Sequence, residues 1–284
     1  MHEKSVAVDD ILSSRLLIIA PHMDDEVLGC GGTMLLHRSK EQVHCLYVTA
    51  GERSPSPLLP WQGRANQDLP QLREQEAYNA LAHIGIPKDN ATFMRFADGR
   101  LTNQKTQLAQ QLQREIERID PAIICVPFHY DLHTDHIAVH RAVRKLQRTG
   151  AVAAPVLEYF IYFRWPLIRE RDIRRRVPQN RLLQIDTAPV AAAKGAAIAC
   201  YQSQTQILYP WQEAPVLTQA NIRQRLADPE YLLLSDPDRP LGADLSGSAM
   251  WLRIAHLAQT YGKRPKDQLL ALCKQFARPT TIQQ

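Results

Sequence analysis

Three short apolar runs constrain this chain more than anything else in it: Arg15–Ala20 (RLLIIA), Val43–Thr49 (VHCLYVT) and Ala122–Val126 (AIICV). Ala91–Phe96 reads as a further strand, and helical patterns follow over Glu26–Ser39, Leu72–His83, Asn103–Ile119 and Ile137–Gln147. Apolar runs of this length alternating with helices argue for βαβ units in a sheet buried on both faces. Right-handed crossovers then bring the strand C-termini to one edge. The expected fold is a Rossmann-like, mainly parallel α/β sheet with helices on both faces.

The second half is less regular. Val156–Phe163 (VLEYFIYF) and Arg181–Ile185 read as strands, Ala188–Tyr201 as an Ala-rich helix, and Leu245–Leu257 and Gln268–Phe276 as C-terminal helices before a frayed tail at Thr280–Gln284. A Pro- and Ser-rich loop runs from Arg53 to about Pro70, and no repeat or low-complexity linker divides the chain. One domain over 1–284 is expected, with a core over about 15–204 and a C-terminal elaboration over 205–284.

With 284 residues and a net charge of +5, the chain carries a modest basic excess that reads as a solubilising surface rather than a nucleic-acid footprint. No stretch approaches the roughly 20 apolar residues that span a bilayer. Met1–Ser14 has Glu3, Asp9 and Asp10 and no apolar centre, so it is not patterned as a signal peptide, and a cytoplasmic location is expected. Cys30, Cys45, Cys125, Cys200 and Cys273 are odd in number and scattered, as buried reduced thiols would be.

Two polar clusters follow predicted strands. His22, Asp24, Asp25 and Glu26 come after Arg15–Ala20; His129, Asp131, His133, Asp135 and His136 come after Ala122–Val126. On one sheet edge they can converge, and His with Asp suits a catalytic zinc site of three protein ligands and an open position. His22 and Asp25, three apart on a tight turn, can aim at one ion, with a histidine of the second cluster as the third ligand. Either acid alone would be an ordinary helix cap, but capping does not call for three histidines at a second strand end. Gly29-Cys30-Gly31-Gly32 offers a rival dinucleotide reading, with Glu52 at a ribose-binding distance. Met34 stands where the third glycine belongs, and Asp24 and Asp25 would repel a pyrophosphate. Packing glycines are the better reading.

Pro21-His22-Met23-Asp24-Asp25-Glu26 resembles the Pro-His-Pro-Asp-Asp-Glu motif of the PIG-L/LmbE-like zinc-dependent deacetylases, and His133-Thr134-Asp135-His136 resembles their His-Pro-Asp-His. Thr49–Glu52, Arg73 with Glu76, Asp98–Leu101, and Lys194 through Gln204 match weaker family features, so the resemblance spans about Arg15 to Gln204. It implies Zn²⁺, or another divalent ion such as Fe²⁺, on His22, Asp25 and His136. It also implies Asp24 as general base and a protonated His133 as oxyanion stabiliser oriented by Asp135. Arg73 is a candidate for gripping a hydroxyl or anionic group of the substrate, with a salt bridge to Glu76 as the structural alternative. His140, four residues after His136, is expected on a helix face or behind the ligands. The basic run Arg164, Arg169, Arg171, Arg174, Arg175 and Arg176 reads as a solvated face or an anion contact.

The implied activity is removal of an N-acetyl group from an N-acetylglucosamine-containing small molecule or glycoconjugate. The alternatives are hydrolysis of another amide or ester, and a non-catalytic nucleotide- or glycan-binding module. The expected partner is the amino-sugar substrate, with no nucleic acid and no integral membrane segment; a homo-oligomer is left open.

Overall fold

The computed structural model describes residues 6–57, 68–165, 167, 171–238 and 256–257. In chain order the elements are α1 (Val8–Ser13), β1 (Leu16–Ala20), α2 (Asp25–Leu36), β2 (Val43–Thr49), α3 (Leu69–Ile84), β3 (Ala91–Phe96), α4 (Lys105–Ile119), β4 (Ile123–Pro127), α5 (Thr134–Arg148), β5 (Val156–Tyr159), β6 (Leu182–Ile185), α6 (Ala191–Ala199), α7 (Gln202–Thr205), α8 (Gln219–Ala227) and β7 (Glu230–Leu234).

The strands form one sheet in the order β3-β2-β1-β4-β5-β7-β6. The five strands from β3 to β5 are parallel, whereas β7 runs antiparallel to both β5 and β6. The two-residue period of a strand explains why β1 is apolar throughout. Leu16, Ile18 and Ala20 join the core under α2, α3 and α6, while Leu17 and Ile19 join the opposite core under α4 and α5. A third cluster, built on Phe128, Phe160, Phe163 and Trp165, packs beside β7.

The glycines of α2 set its distance from its neighbours. A Cβ on Gly29 would stand 2.4 Å from the Tyr159 ring, and one on Gly32 would stand 2.2 Å from Thr187. They serve close packing, and Glu52 Oε1 accepts from Asp98 N at 2.9 Å.

The long run Val156–Phe163 is a strand only as far as Tyr159. The chain then turns: Tyr162 N donates to Asp131 Oδ1, and Phe160 and Phe163 enter the aromatic cluster. Helix α5 begins three residues before its expected start, with His133 as N-cap. Elements α1, α8 and β7 have no counterpart in the sequence reading. Strand β7, from beyond Gln204, lies inside the sheet, and its Glu230 accepts from Gly32 N, Thr33 N, Thr33 Oγ1 and Lys194 Nζ. Cys30, Cys45 and Cys125 are buried free thiols, and Cys200 is partly buried. Cys273, the expected helix Gln268–Phe276, the tail Thr280–Gln284 and most of Leu245–Leu257 lie outside the described residues. No helix among the described residues is long and apolar enough to cross a membrane.

Candidate active site

Strands β1 and β4 are neighbours, and their helices α2 and α5 leave toward opposite faces, which opens a crevice at the C-terminal ends of the two strands. The turn after β1 is held from several sides. Thr49 N and Oγ1 both donate to Pro21 O, and Asp25 Oδ2 accepts from His22 N at 2.9 Å. Asp24 adopts φ 132°, a backbone conformation that costs a non-glycine residue on the order of 1–3 kcal/mol and must be held by its surroundings. Glu26 supplies part of the hold by accepting from Asp24 N at 3.1 Å, and Tyr201 OH donates to the other oxygen of Glu26. Although Asp24 precedes α2, its side chain makes no capping bond. The cap reading of Asp24 therefore falls away.

His22 Nδ1, Asp25 Oδ2 and His136 Nε2 form a nearly equilateral triangle with all three sides 3.2 Å. Ligand atoms about 2.0–2.1 Å from one tetrahedral zinc lie about 3.3 Å apart, so the triangle has the dimensions of one face of such a site. The donor set, two imidazole nitrogens and one carboxylate oxygen, also suits that ion. The outer nitrogens of both rings are backed by carboxylates, as in metal sites where such partners fix the ring and raise its basicity. His136 Nδ1 meets Asp131 Oδ2 at 3.0 Å, and His22 Nε2 stands 3.3 Å from Asp98 Oδ1.

The electrostatics match this crowding. Burial opposes charge on His22 and His136, but the surrounding carboxylates outweigh it, so His22 is raised well above the usual histidine value and His136 to about 9. The same pairing holds Asp25 far below the carboxylate range despite its burial. Burial raises Asp24 to about 7, with Asp25 adding to the rise and Arg73 opposing it.

His133, Asp135 and Arg73 require corrections to their expected roles. In the metal-free chain burial and the neighbouring His22 and His136 lower His133 to about 3, which favours the neutral ring over the expected protonated one. Its Nδ1 accepts from Asp135 N at 3.3 Å, which leaves the proton on Nε2 and makes the ring a neutral donor. The Asp135 carboxylate does not orient the His133 ring; it accepts from Gly99 N and Leu101 N and stands 3.5 Å from His22 Nε2. Arg73 borders the cavity but spends its donors on Gly51 O, Ser54 O, Met23 O and Asp24 Oδ1. It positions the Asp24 turn instead of reaching for a ligand, and Glu76 pairs with Ser203 rather than with Arg73.

Sequence reasoning assigned no role to Asp98 and Asp131, which back the two histidines. Asp131, after β4 and five residues before His136, carried a readable signal; Asp98 follows β3 with no ligand histidine near it in sequence. His140 is not at the triangle. Its Nε2 meets Glu158 Oε1 at 3.1 Å, and His129 Nδ1 meets Glu158 Oε2 at 2.6 Å. In the basic run, Arg174 is tied to Asp172 and Asp228, Arg164 borders the cavity, and Arg169 lies outside the described residues.

The triangle lies beside a cavity of about 810 Å³ lined by His22, Asp24, Asp25 and His133 on one side and by Phe163, Leu217 and Arg225 among others on the rest. Its size suits a small-molecule or sugar-sized ligand.

Residues 17–147 match the family model described as PIG-L: GlcNAc-PI de-N-acetylase. The chain is 27% identical over 207 residues to a probable N-acetyl-alpha-D-glucosaminyl L-malate deacetylase 2 of Bacillus subtilis, covering 69% of this chain and 85% of that protein. A deacetylase of the teicoplanin biosynthesis pathway shares the fold with a TM-score of 0.57 at 20% identity, covering 79% of this chain and all of that one. The N,N'-diacetylchitobiose deacetylase of Pyrococcus horikoshii does so with a TM-score of 0.55 at 17% identity, covering 79% and 85%.

Proposed function

Residues 17–147 belong to the PIG-L deacetylase family, and from that premise we infer that this chain is a metal-dependent N-deacetylase acting on an N-acetylglucosamine-containing substrate, with zinc as the ion. The observation that carries the reading is the 3.2 Å triangle of His22, Asp25 and His136 with Asp24 beside it on the cavity wall. The similarity to an N-acetyl-alpha-D-glucosaminyl L-malate deacetylase supports the amino-sugar class.

A bound zinc would polarise the acetamide carbonyl and lower the pKa of water to about 7. The chain supplies the rest. Asp24 is adjacent to a ligand without being one, so its carboxylate is free to accept the proton of the attacking water and pass it to the departing amine. Arg73 and Glu26 fix the turn that aims it. His133 donates Nε2–H to the carbonyl oxygen as negative charge develops there, and a neutral donor fixed in place performs that task without a net charge. Asp131 and Asp98 hold the His136 and His22 rings in orientation.

Acetate release from methyl N-acetylglucosaminide tests the reading. Activity should vanish on chelation and return with Zn²⁺ or Fe²⁺. In Asp24→Ala it should fall by about 10²–10⁴-fold while metal content stays stoichiometric. Full activity in chelated protein, or in Asp24→Ala, would sink it.

A further inference from the structure

Helix α8 lies beyond the stretch matched by the family model, yet it forms a polar wall of the cavity. Asn221, Gln224 and Arg225 stand at i, i+3 and i+4 and share one helix face, and all three line the cavity. Ile222 and Leu226 turn the other way, into the core under the sheet.

Arg225 lines the cavity without an acidic partner among the described residues. Its Nη2 donates to Ile161 O at 2.6 Å and its guanidinium stands 5.8 Å over the Phe163 ring, but no described carboxylate pairs with it. Arg174, 3.9 Å over the same ring, is neutralised by Asp172 and Asp228 at 2.8 and 3.0 Å. Arg164 borders the cavity on the same flank, is exposed, and likewise has no acidic partner among the described residues. Burial pushes Arg225 down from the usual arginine value, opposed by Tyr162 and by the more distant charges of Asp131, Asp25 and Asp24, none of which bonds to it. The acids lining the cavity, Asp24, Asp25 and Asp98, come from the turn that opens α2 and from the loop after β3; Arg164 and Arg225 come from the segment after β5 and from α8.

We propose that Arg225, assisted by Arg164, is an anion subsite, and that the substrate carries a carboxylate or phosphate on the part of the molecule beyond the acetamido sugar. A guanidinium fork matches either group with two parallel hydrogen bonds. Asn221 and Gln224, on the same face, are placed for neighbouring hydroxyls. The inference rests on the deacetylase reading of the same cavity and adds the charge of the second half of the substrate.

Calorimetric titration of the full, metal-loaded protein with two N-acetylglucosamine glycosides tests it. One carries a carboxymethyl aglycone and the other the carbamoylmethyl aglycone, equal in shape but uncharged. The charged glycoside should bind about tenfold or more tightly, and the preference should shrink with added salt. Arg225→Gln should bring the ratio close to one. Arg164→Gln, at an exposed position where folding is not at stake, should reduce it several-fold, and it decides the matter if Arg225→Gln does not fold. Equal binding of the two glycosides, binding of neither, or a preference that survives in the folded variants overturns the subsite. Acetate release is read separately: hydrolysis of both without charge preference keeps the deacetylase reading and removes the subsite. Charge-selective binding with no acetate release does the reverse.

Discussion

Helix α5 carries two histidines one turn apart that meet their carboxylates in opposite ways. His136 belongs to a triangle whose three donor atoms face one another at 3.2 Å, each too far for a strong hydrogen bond and well spaced for a shared ion. His140 belongs to a chain in which Glu158 reaches His129 with one oxygen at 2.6 Å and His140 with the other at 3.1 Å. Both clusters are built from two imidazoles and one acid, and both are buried. In the first, three ligand atoms face one point beside the cavity. In the second, the two oxygens of one carboxylate face different rings. Convergence of donors, rather than residue type, separates a metal site from an internal lock.

The most drastic way to break the comparison is to remove a corner of the triangle. Asp25→Ala or His136→Ala should empty the site and lower acetate release by about 10³-fold or more, read by elemental analysis and an acetate assay. His140→Ala should leave metal content untouched. If His140→Ala also lost the ion, the two clusters would have to be one site.

Next in size is the lock itself. Glu158 is 3% exposed and is held well below the carboxylate range by His129 and His140 against the pull of burial. Glu158→Gln removes a buried carboxylate that accepts from both rings, and losing hydrogen bonds to a buried charged group costs about 1.5–3 kcal/mol. Denaturant unfolding should show that loss, with metal occupancy unchanged in the fraction that remains folded. A loss under about 1 kcal/mol would place the cluster among polar contacts of little consequence.

Asp131 does for His136 what Glu158 does for His140, but with an ion expected on the far side of the ring. Asp131→Asn keeps the shape and weakens the partner. Metal affinity should drop about 10–100-fold, measured by competition with a chromophoric chelator, while stability of the metal-free chain changes less than in Glu158→Gln.

Much of this was legible in the sequence because local patterning dictated it. The apolar runs at Leu16–Ala20, Val43–Thr49 and Ile123–Pro127 could only be strands buried on both faces, and the polar residues after two of them had to share an edge. What escaped depends on contacts distant in sequence. Glu158 sits inside a run that reads as plain β-strand; an acid in such a run was the available sign that a buried partner existed. Helix α8 has no apolar stripe long enough to stand out, and its Arg225 acquires meaning only when its lack of an acid is seen. Strand β7 is short and enters the sheet antiparallel, outside the βαβ rhythm that revealed the others. The role of Asp135 was misjudged for a related reason. Its neighbour in sequence is His133, but its carboxylate is bound by Gly99 and Leu101, residues on another loop.

The smallest effect separates the clusters by the sign of a pH dependence. In metal-free protein His136 is raised from 6.5 to about 9, so its contribution to stability is complete below pH 6.5 and is lost as pH rises toward 9. His140 is lowered from 6.5 by burial, so its contribution is complete above pH 6.5 and is lost as pH falls below that value. Glu158 adds no slope between pH 5.5 and 8.5, because its pKa lies below the ordinary 4.5 in the folded chain and the carboxyl is ionised in both states throughout that range. Each histidine contributes at most about 1.4 kcal/mol per pH unit. Denaturant unfolding of chelated protein at pH 6.5 and 8.5 should therefore show a decline on the alkaline side. The share of that decline owed to His22 and His136 should disappear with saturating metal, since the ion requires those rings unprotonated, while the share owed to Glu26, raised to about 7 by burial, should remain. The acid-side share of His140, isolated as the difference between wild type and His140→Asn at pH 5.5 and 6.5, should be the same with and without metal. If metal altered the acid-side difference as well, the two clusters would be exchanging protons across the one turn of α5 that separates them.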